Sequence, residues 1–401
     1  MNLTAARYSK ILIGLTVFVA SFAFVHPVHA LRFHVQNELS YRYVKRIYYN
    51  DTTPSLFESN DHYLRNFLDM TLSSGNLTLD VRPELRLVDS DALSLTETDP
   101  AFTTYRTTRR LMSLDAQLSK SKYQVAMTDV DRLFLTYQGS NWQTTIGRSP
   151  LGLGMMRVLT LWNRFSPSLF NTGTTELVFN PDLATISGQW SSVAVGAIEI
   201  AAQQPIDRIH LGHFVYYGEW IELQAIGGEW WERPIGGVAF SKDVGGAQLR
   251  GESLVIGPSK TENTETQAAA GFEYAVNSRI SVLLEWLYQQ AGGQNSRDYL
   301  TRPVSRFRPL FAQAYVFGQM TVNLTDFLKG DFGTLVNLAD SGLLATAGLE
   351  YSISDHFDVS ASARIPTGGL DQEFGRIRIV DSPPTDIGYP QRYSLQLRAI
   401  F

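Results

Sequence analysis

Side chains that do covalent or metal chemistry are sparse in this chain. It has no cysteine, which removes thiol redox chemistry, Cys-based zinc sites and iron-sulfur clusters together. Past residue 30 the histidines are His34, His62, His210, His213 and His356. His210 and His213 lie three apart, a spacing that sends them to opposite faces of an extended chain, so they cannot share one metal. No HExxH, no phosphate-binding Gly-Lys-Ser/Thr loop and no GxSxG elbow occurs; Gly147 to Gly152 and Gly251 to Ser253 only approach the last. A hydrolytic constellation assembled across strands is the one enzymatic route left open. The chain therefore reads as non-enzymatic, with no catalytic residue, no metal and no cofactor. Its net charge of −5 gives no general attraction to nucleic acid.

What the sequence offers instead is arginine and carboxylate. Arg148, Arg157, Trp162 and Arg164 gather at a Gly- and aromatic-bearing segment, 149–174, where fixed positive charge would act on passing ions. Elsewhere Arg82, Arg86, Arg250, Glu252, Glu273, Glu285 and Arg364, together with acids such as Glu199, Glu222 and Glu350, fall on the polar side of alternating segments. Interleaved signs of this kind either produce a transverse field or pair off across a wall and stiffen it.

The elements that must hold these residues are strands. From Leu31 to Tyr43 the odd positions are largely apolar or aromatic (Leu31, Phe33, Val35, Leu39, Tyr41, Tyr43), and the even ones include Arg32, His34, Gln36, Glu38 and Arg42. The same period of two recurs in 77–87, in 247–255, in 280–289 with Leu284, Trp286 and Tyr288 against Glu285, and in 357–365. A soluble sandwich would use such alternation in strands of about 5 or 6 residues, a membrane barrel in strands of about 9 to 11. Length favours the barrel. Tight-turn signals fall at 73–76, 139–141, 191–192, 218–219, 242–246, 276–279, 325–331 and 353–356, with longer polar connections between them, notably 45–63, 89–107, 149–174, 290–309 and 366–390. Short turns at one end, longer loops at the other and both termini at the turn end imply an all-β, antiparallel up-and-down barrel of about 18 strands, within roughly 16 to 20. The ambiguous stretch is 105–132, which holds either one strand and a long loop or an extra hairpin turning at Ser119 to Ser121.

Residues 1–30 read as an address. Arg7 and Lys10 form a positive start, Ile11 to Phe24 an apolar stretch, and Val28-His29-Ala30 ends in a small residue, so the expected organisation is a signal peptide over 1–30 and a single barrel over 31–401. The strand pattern begins at Leu31, which leaves no room for the folded plug of a TonB-dependent receptor.

At the other end Tyr393, Leu395, Leu397, Ala399 and Phe401 alternate with Ser394, Gln396 and Arg398. This resembles the C-terminal signature of bacterial outer-membrane proteins, and the resemblance implies that Tyr393, Leu395, Leu397 and Phe401 are read by the barrel-assembly machinery.

A closer resemblance starts at Gly147. Gly147, Arg148, Gly152, Gly154, Phe165, Ser166, Pro167 and Phe170 are similar to a segment of Gram-negative porin-like barrels, the broad alginate-export-like and phosphate-selective-porin-like group. So are 244–252 (VGGAQLRGE), 271–274 followed by 283–286, and 337–342 (NLADSG). Ser149 and Ser168 depart from that pattern, so contacts made there in relatives are not carried over. The resemblance implies a channel for passive passage of small hydrophilic solutes across the outer membrane of a Gram-negative bacterium, with outer-membrane lipid and lipopolysaccharide around it. Passage of a specific polymer or of an aromatic compound is the alternative. Homotrimer and monomer both stay open. The segment 149–174 is expected to fold inward as a constriction bordered by Arg148, Arg157, Trp162 and Arg164.

Overall fold

The computed structural model describes residues 32–48, 57–91, 110–162, 180–259, 262–299, 307, 310–369, 372–381 and 384–401. The expected leader 1–30, Arg164 and the rest of 163–174 lie outside the described residues. In chain order the strands are β1 (Arg32–Tyr48), β2 (Phe57–Ser74), β3 (Leu77–Ser90), β4 (Ala116–Lys120), β5 (Gln124–Gln138), β6 (Trp142–Arg148) and β7 (Asp182–Trp190). Next come β8 (Val193–Ala201), β9 (Ile209–Tyr217), β10 (Glu222–Trp230), β11 (Arg233–Val244), β12 (Ala247–Ile256), β13 (Glu265–Ala275) and β14 (Ile280–Gln289). The last are β15 (Ala314–Asn323), β16 (Leu328–Asn337), β17 (Leu343–Ser354), β18 (Phe357–Thr367), β19 (Arg376–Asp381), β20 (Pro384–Gly388) and β21 (Gln391–Ile400).

All but β4, β19 and β20 join in chain order into one closed antiparallel barrel of 18 strands. It closes where β1 pairs with β21, Leu39 opposite Ala399, and Asn37 and Phe401 exchange both backbone hydrogen bonds at the seam. Closure gives each of the 18 wall strands a partner on both sides, the condition a strand wall must meet in lipid. Each of the eight tight-turn signals lies at or beside a connection at one end of this barrel, and both described termini share that end. The ambiguous stretch resolves as a hairpin that does not add a spanning pair. β4 pairs with 125–128, on the edge of β5 that β6 occupies lower down at 133–138. The loop end also has one very tight connection, Trp231–Glu232, with both residues at positive φ (53° and 59°), the geometry of a two-residue hairpin turn.

The two faces follow from the alternation. Phe33, Ile146, Val238, Leu284 and Leu349 stand exposed on the outside, while Arg65, Glu84, Arg86, Glu252 and Glu285 are buried on the inside. A bulge between Arg82 and Pro83 leaves Asp131 without a cross-strand partner on β3, so that Asp129 and Asp131 are both turned into the interior. Glu199, expected inside, is a correction. It pairs with His210 on the outer wall, because Ile198 and Ile200 on either side of it are buried in the interior cluster. β8 is apolar on both faces apart from Glu199, so alternation alone could not set which face is which.

That interior cluster divides the barrel. Leu183, Ile200, Ile209, Leu211, Ile235, Leu254, Leu287, Leu335 and Leu344, from β7 to β17, pack with loop residues into one apolar mass inside the barrel. Across from it, β1, β2, β3, β5, β18 and β21 carry ion pairs on their inner faces.

Candidate functional site

The site is built where the connection after β6 enters the barrel. Gly147 has φ +128°, and a Cβ there would collide with the carbonyl of Leu133, so only glycine permits this bend. The bend delivers Arg148 into a sealed network. Its guanidinium meets Asp129 at 3.2 Å and Asp182 at 2.9 Å, donates to the carbonyls of Val130 and Met112, and has no exposed surface. Arg110 joins through Asp129 at 2.6 Å and the carbonyl of Asn180. Arg148 therefore does not border open space, contrary to its expected place at a constriction. Two carboxylates and two carbonyls consume its donors, and the network ties the foot of the inward segment to β5, β7 and the chain before β4.

From there residues 149–162 run inside the barrel. Leu153, Met156, Leu159, Leu161 and Trp162 are buried in the apolar mass. The backbone of this segment makes few bonds to itself and turns its N–H groups on two wall carboxylates. Glu252 of β12 accepts from the amides of Met155, Met156 (2.7 Å) and Leu161 (2.7 Å), and from the hydroxyl of Thr160 (3.2 Å). Glu285 of β14 accepts from the amides of Arg157 (2.8 Å), Val158 (3.0 Å) and Leu159 (2.6 Å). Trp162 is fully buried and its indole N–H donates to the carbonyl of Ser253 at 3.1 Å.

Of the three expected constriction residues that are described, only Arg157 presents its side chain to solvent, 62% exposed, with Nε 3.4 Å from Glu273. Glu273 is in turn bound by the buried Arg250. Among the expected inward charges, Arg86 shares Glu84 with Arg65, and Arg82 stands between Glu38, Asp69 and Asp131 at 3.5 to 3.9 Å. Arg364 lies in register with Thr346 on one side and Arg392 on the other. Tyr393, Leu395 and Phe401 are exposed on the outer face, with Leu397 on the same side of β21.

Other loops cover the remainder of the apolar mass. Glu373, wholly buried in the connection between β18 and β21, accepts from the amide of Phe311 (3.0 Å), the hydroxyl of Tyr315 and the amide side chain of Asn337 (2.8 Å). Asp340 binds the hydroxyl of Tyr299 (2.6 Å) and the amide of Glu373 (2.7 Å). Burial pushes the Glu373 carboxyl up to about 7 and raises Tyr299 and Tyr389 above the usual phenol range.

The stretches that carried the family resemblance fall on these seats. VGGAQLRGE holds Arg250 and Glu252, 271–274 and 283–286 hold Glu273 and Glu285, and NLADSG holds Asn337 and Asp340. Asp129, Asp182 and Glu373 were not singled out. Asp129 and Asp182 flank the segment far apart in the chain, and nothing in their local spacing marks them.

No family model and no curated relative matches the sequence. Solved structures do match in fold. Acinetobacter baumannii OccAB4 aligns with a TM-score of 0.57 at 8% identity, over 94% of this chain and 100% of that one. The outer membrane protein OpdK of Pseudomonas aeruginosa aligns at 0.55 and 9%, over 92% and 98%. Pseudomonas aeruginosa OccD3 (OpdP) aligns at 0.52 and 8%, over 91% of each chain. At such identities the likeness is one of architecture alone, that of a closed β-barrel.

Proposed function

We propose that this protein is an outer-membrane channel for passive passage of small hydrophilic solutes, and that the inward segment beginning at Ser149 narrows it. The observation that carries the reading is the pairing of a closed wall, apolar outside and charged inside, with a segment held within it by Glu252 and Glu285. A closed strand wall with an apolar outer band suits lipid and an inner face rich in charge suits water. The fold likeness to Occ and Opd proteins supports the same reading. We place the protein in a Gram-negative outer membrane, reached with the help of residues 1–30, and surrounded by lipid and lipopolysaccharide. Tyr393, Leu395, Leu397 and Phe401 serve as the signal for the barrel-assembly machinery. Kinship with the alginate-export-like and phosphate-selective-porin-like group rests on the motif resemblance alone.

Arg157, rather than Arg148, is the loop cation that meets the solute, opposed by Glu273. Purified protein in a planar bilayer should give discrete conductance steps, and vesicles containing it should swell in small sugars. It should also migrate as a compact form in detergent gels until boiled. Absence of both conductance and swelling in protein that passes the heating test would overturn the channel reading and leave a closed structural barrel.

A further inference from the structure

The segment 154–161 is a run of backbone amides gathered on two carboxylates, and both belong to the wall. Amides 155, 156 and 161 converge on Glu252; amides 157, 158 and 159 converge on Glu285. Successive N–H groups gathered in this way make a concavity for an anion. The wall is shaped to receive the segment. Gly154 has φ +86°, and a Cβ on it would strike the carboxylate of Glu252. A Cβ on Gly271, the residue opposite Glu285 on β13, would sit 3.0 Å from the Met156 methyl, and one on Gly237 would sit 3.0 Å from the Trp162 indole nitrogen. Ala269 is the only side chain β13 presents opposite Glu252. Both acids are at most 3% exposed, so neither presents its charge to the aqueous space.

We propose that Glu252 and Glu285 are positioning residues, and that the bore of the channel is set by these two wall carboxylates acting as resident anions in the amide nests of 154–161. This rests on the reading that the segment narrows the channel. Removing one carboxylate leaves three amides facing an apolar wall with no acceptor, which the segment relieves by moving into water. A small free carboxylate could then take the vacated place.

The experiment compares single-channel conductance of the wild-type protein, E252A, E285A, E252D and a variant with 153–161 deleted, each first shown to be folded by its migration before and after boiling. Expected for E252A and E285A is a conductance raised at least about twofold with added open-channel noise, approaching that of the deletion. Millimolar acetate should restore the wild-type level in both, measured against wild type in the same acetate and against chloride at equal ionic strength; E252D should keep much of the wild-type behaviour. If the deletion raises conductance while E252A and E285A leave it unchanged, the positioning role is wrong and the narrowing segment stands. If the deletion itself leaves conductance unchanged, the narrowing reading fails and takes the positioning role with it. A raised conductance that acetate does not reverse would overturn the resident-anion account.

Discussion

The two sides of the barrel interior solve burial in opposite ways. On the side formed by β1, β2, β3, β5, β18 and β21, buried inner side chains are largely charged and satisfy one another across strands: Arg46 with Asp61, Arg65 and Arg86 with Glu84, Arg398 with Glu38 and Asp358. Such a face can stand against water without cover. On the side from β7 to β17 the inner face carries a mass of leucine, isoleucine and tryptophan beside Glu252 and Glu285, and 149–162, 310–312 and 373–374 pack over it. An apolar inner face left wet would forfeit roughly 25 cal/mol for each Å². The comparison teaches that loops here are the second layer of a core. The open space lies toward the charged side, where Arg132 and Arg398 remain more than a third exposed.

The comparison is broken most sharply at Arg148. It is fully buried between Asp129 and Asp182, so Arg148→Ala should cost about 3 to 5 kcal/mol by leaving buried Asp182 without its cation and Asp129 with Arg110 alone. Arg82→Ala, whose partners stand at 3.5 to 3.9 Å on the open side, should cost about 1 kcal/mol or less. Urea unfolding in lipid vesicles measures both, and equal losses would remove the distinction between a sealed hub and an open wall.

The outer face is tested next. Ala361 faces outward on β18 and its neighbour Ser360 inward, opposite Glu350 of β17. Ala361→Arg should cost about 2 to 4 kcal/mol if it meets the bilayer midplane, and Ser360→Arg about 1 kcal/mol or less. The pair Leu284 and Glu285, the natural choice from alternation, is unsuitable because Glu285 anchors the inward segment.

The cover over the apolar side should respond to pH through Glu373. Its carboxyl, in the loop 372–375 and facing Asp340, Tyr299, Tyr315 and Tyr389, is pushed up to about 7 by burial. A group raised in the docked loop favours docking below its free value and loses that contribution as pH rises through the docked one. Proteolysis or amide exchange of 368–381 should therefore be slowest in acid and accelerate as pH passes about 7, and Glu373→Gln should flatten the profile. Acceleration on acidification would reverse the assignment.

The smallest effect is at Arg157, a single exposed cation already faced by Glu273. Arg157→Gln should raise cation over anion permeability modestly, with a shift in reversal potential that shrinks at high salt. No shift at low salt would move selectivity to the charged wall.

Much of the architecture was legible because lipid and water impose a local rule. Residues at every second position of β1, β14 and β18 must alternate in polarity, and each turn must carry its own signal, so Leu284 outward, Glu285 inward and eight turns can be read without any partner in view. The rule fails where both faces are apolar. In β14 Leu283 and Leu287 point inward beside Glu285, a doubly apolar pattern that marks a strand covered from within. The same pattern in β8 hid the direction of Glu199.

The sequence by itself determined an all-β chain, its turns, its outward face and the inward direction of Glu252 and Glu285. Only the tertiary structure decided that Arg148 is sealed, that Arg157 reaches solvent, and that Glu252 and Glu285 serve a segment 91 to 128 residues away. The physical reason is that alternation is a property of neighbours in the chain, whereas the partner of a buried charge is fixed by strand register summed around a closed wall.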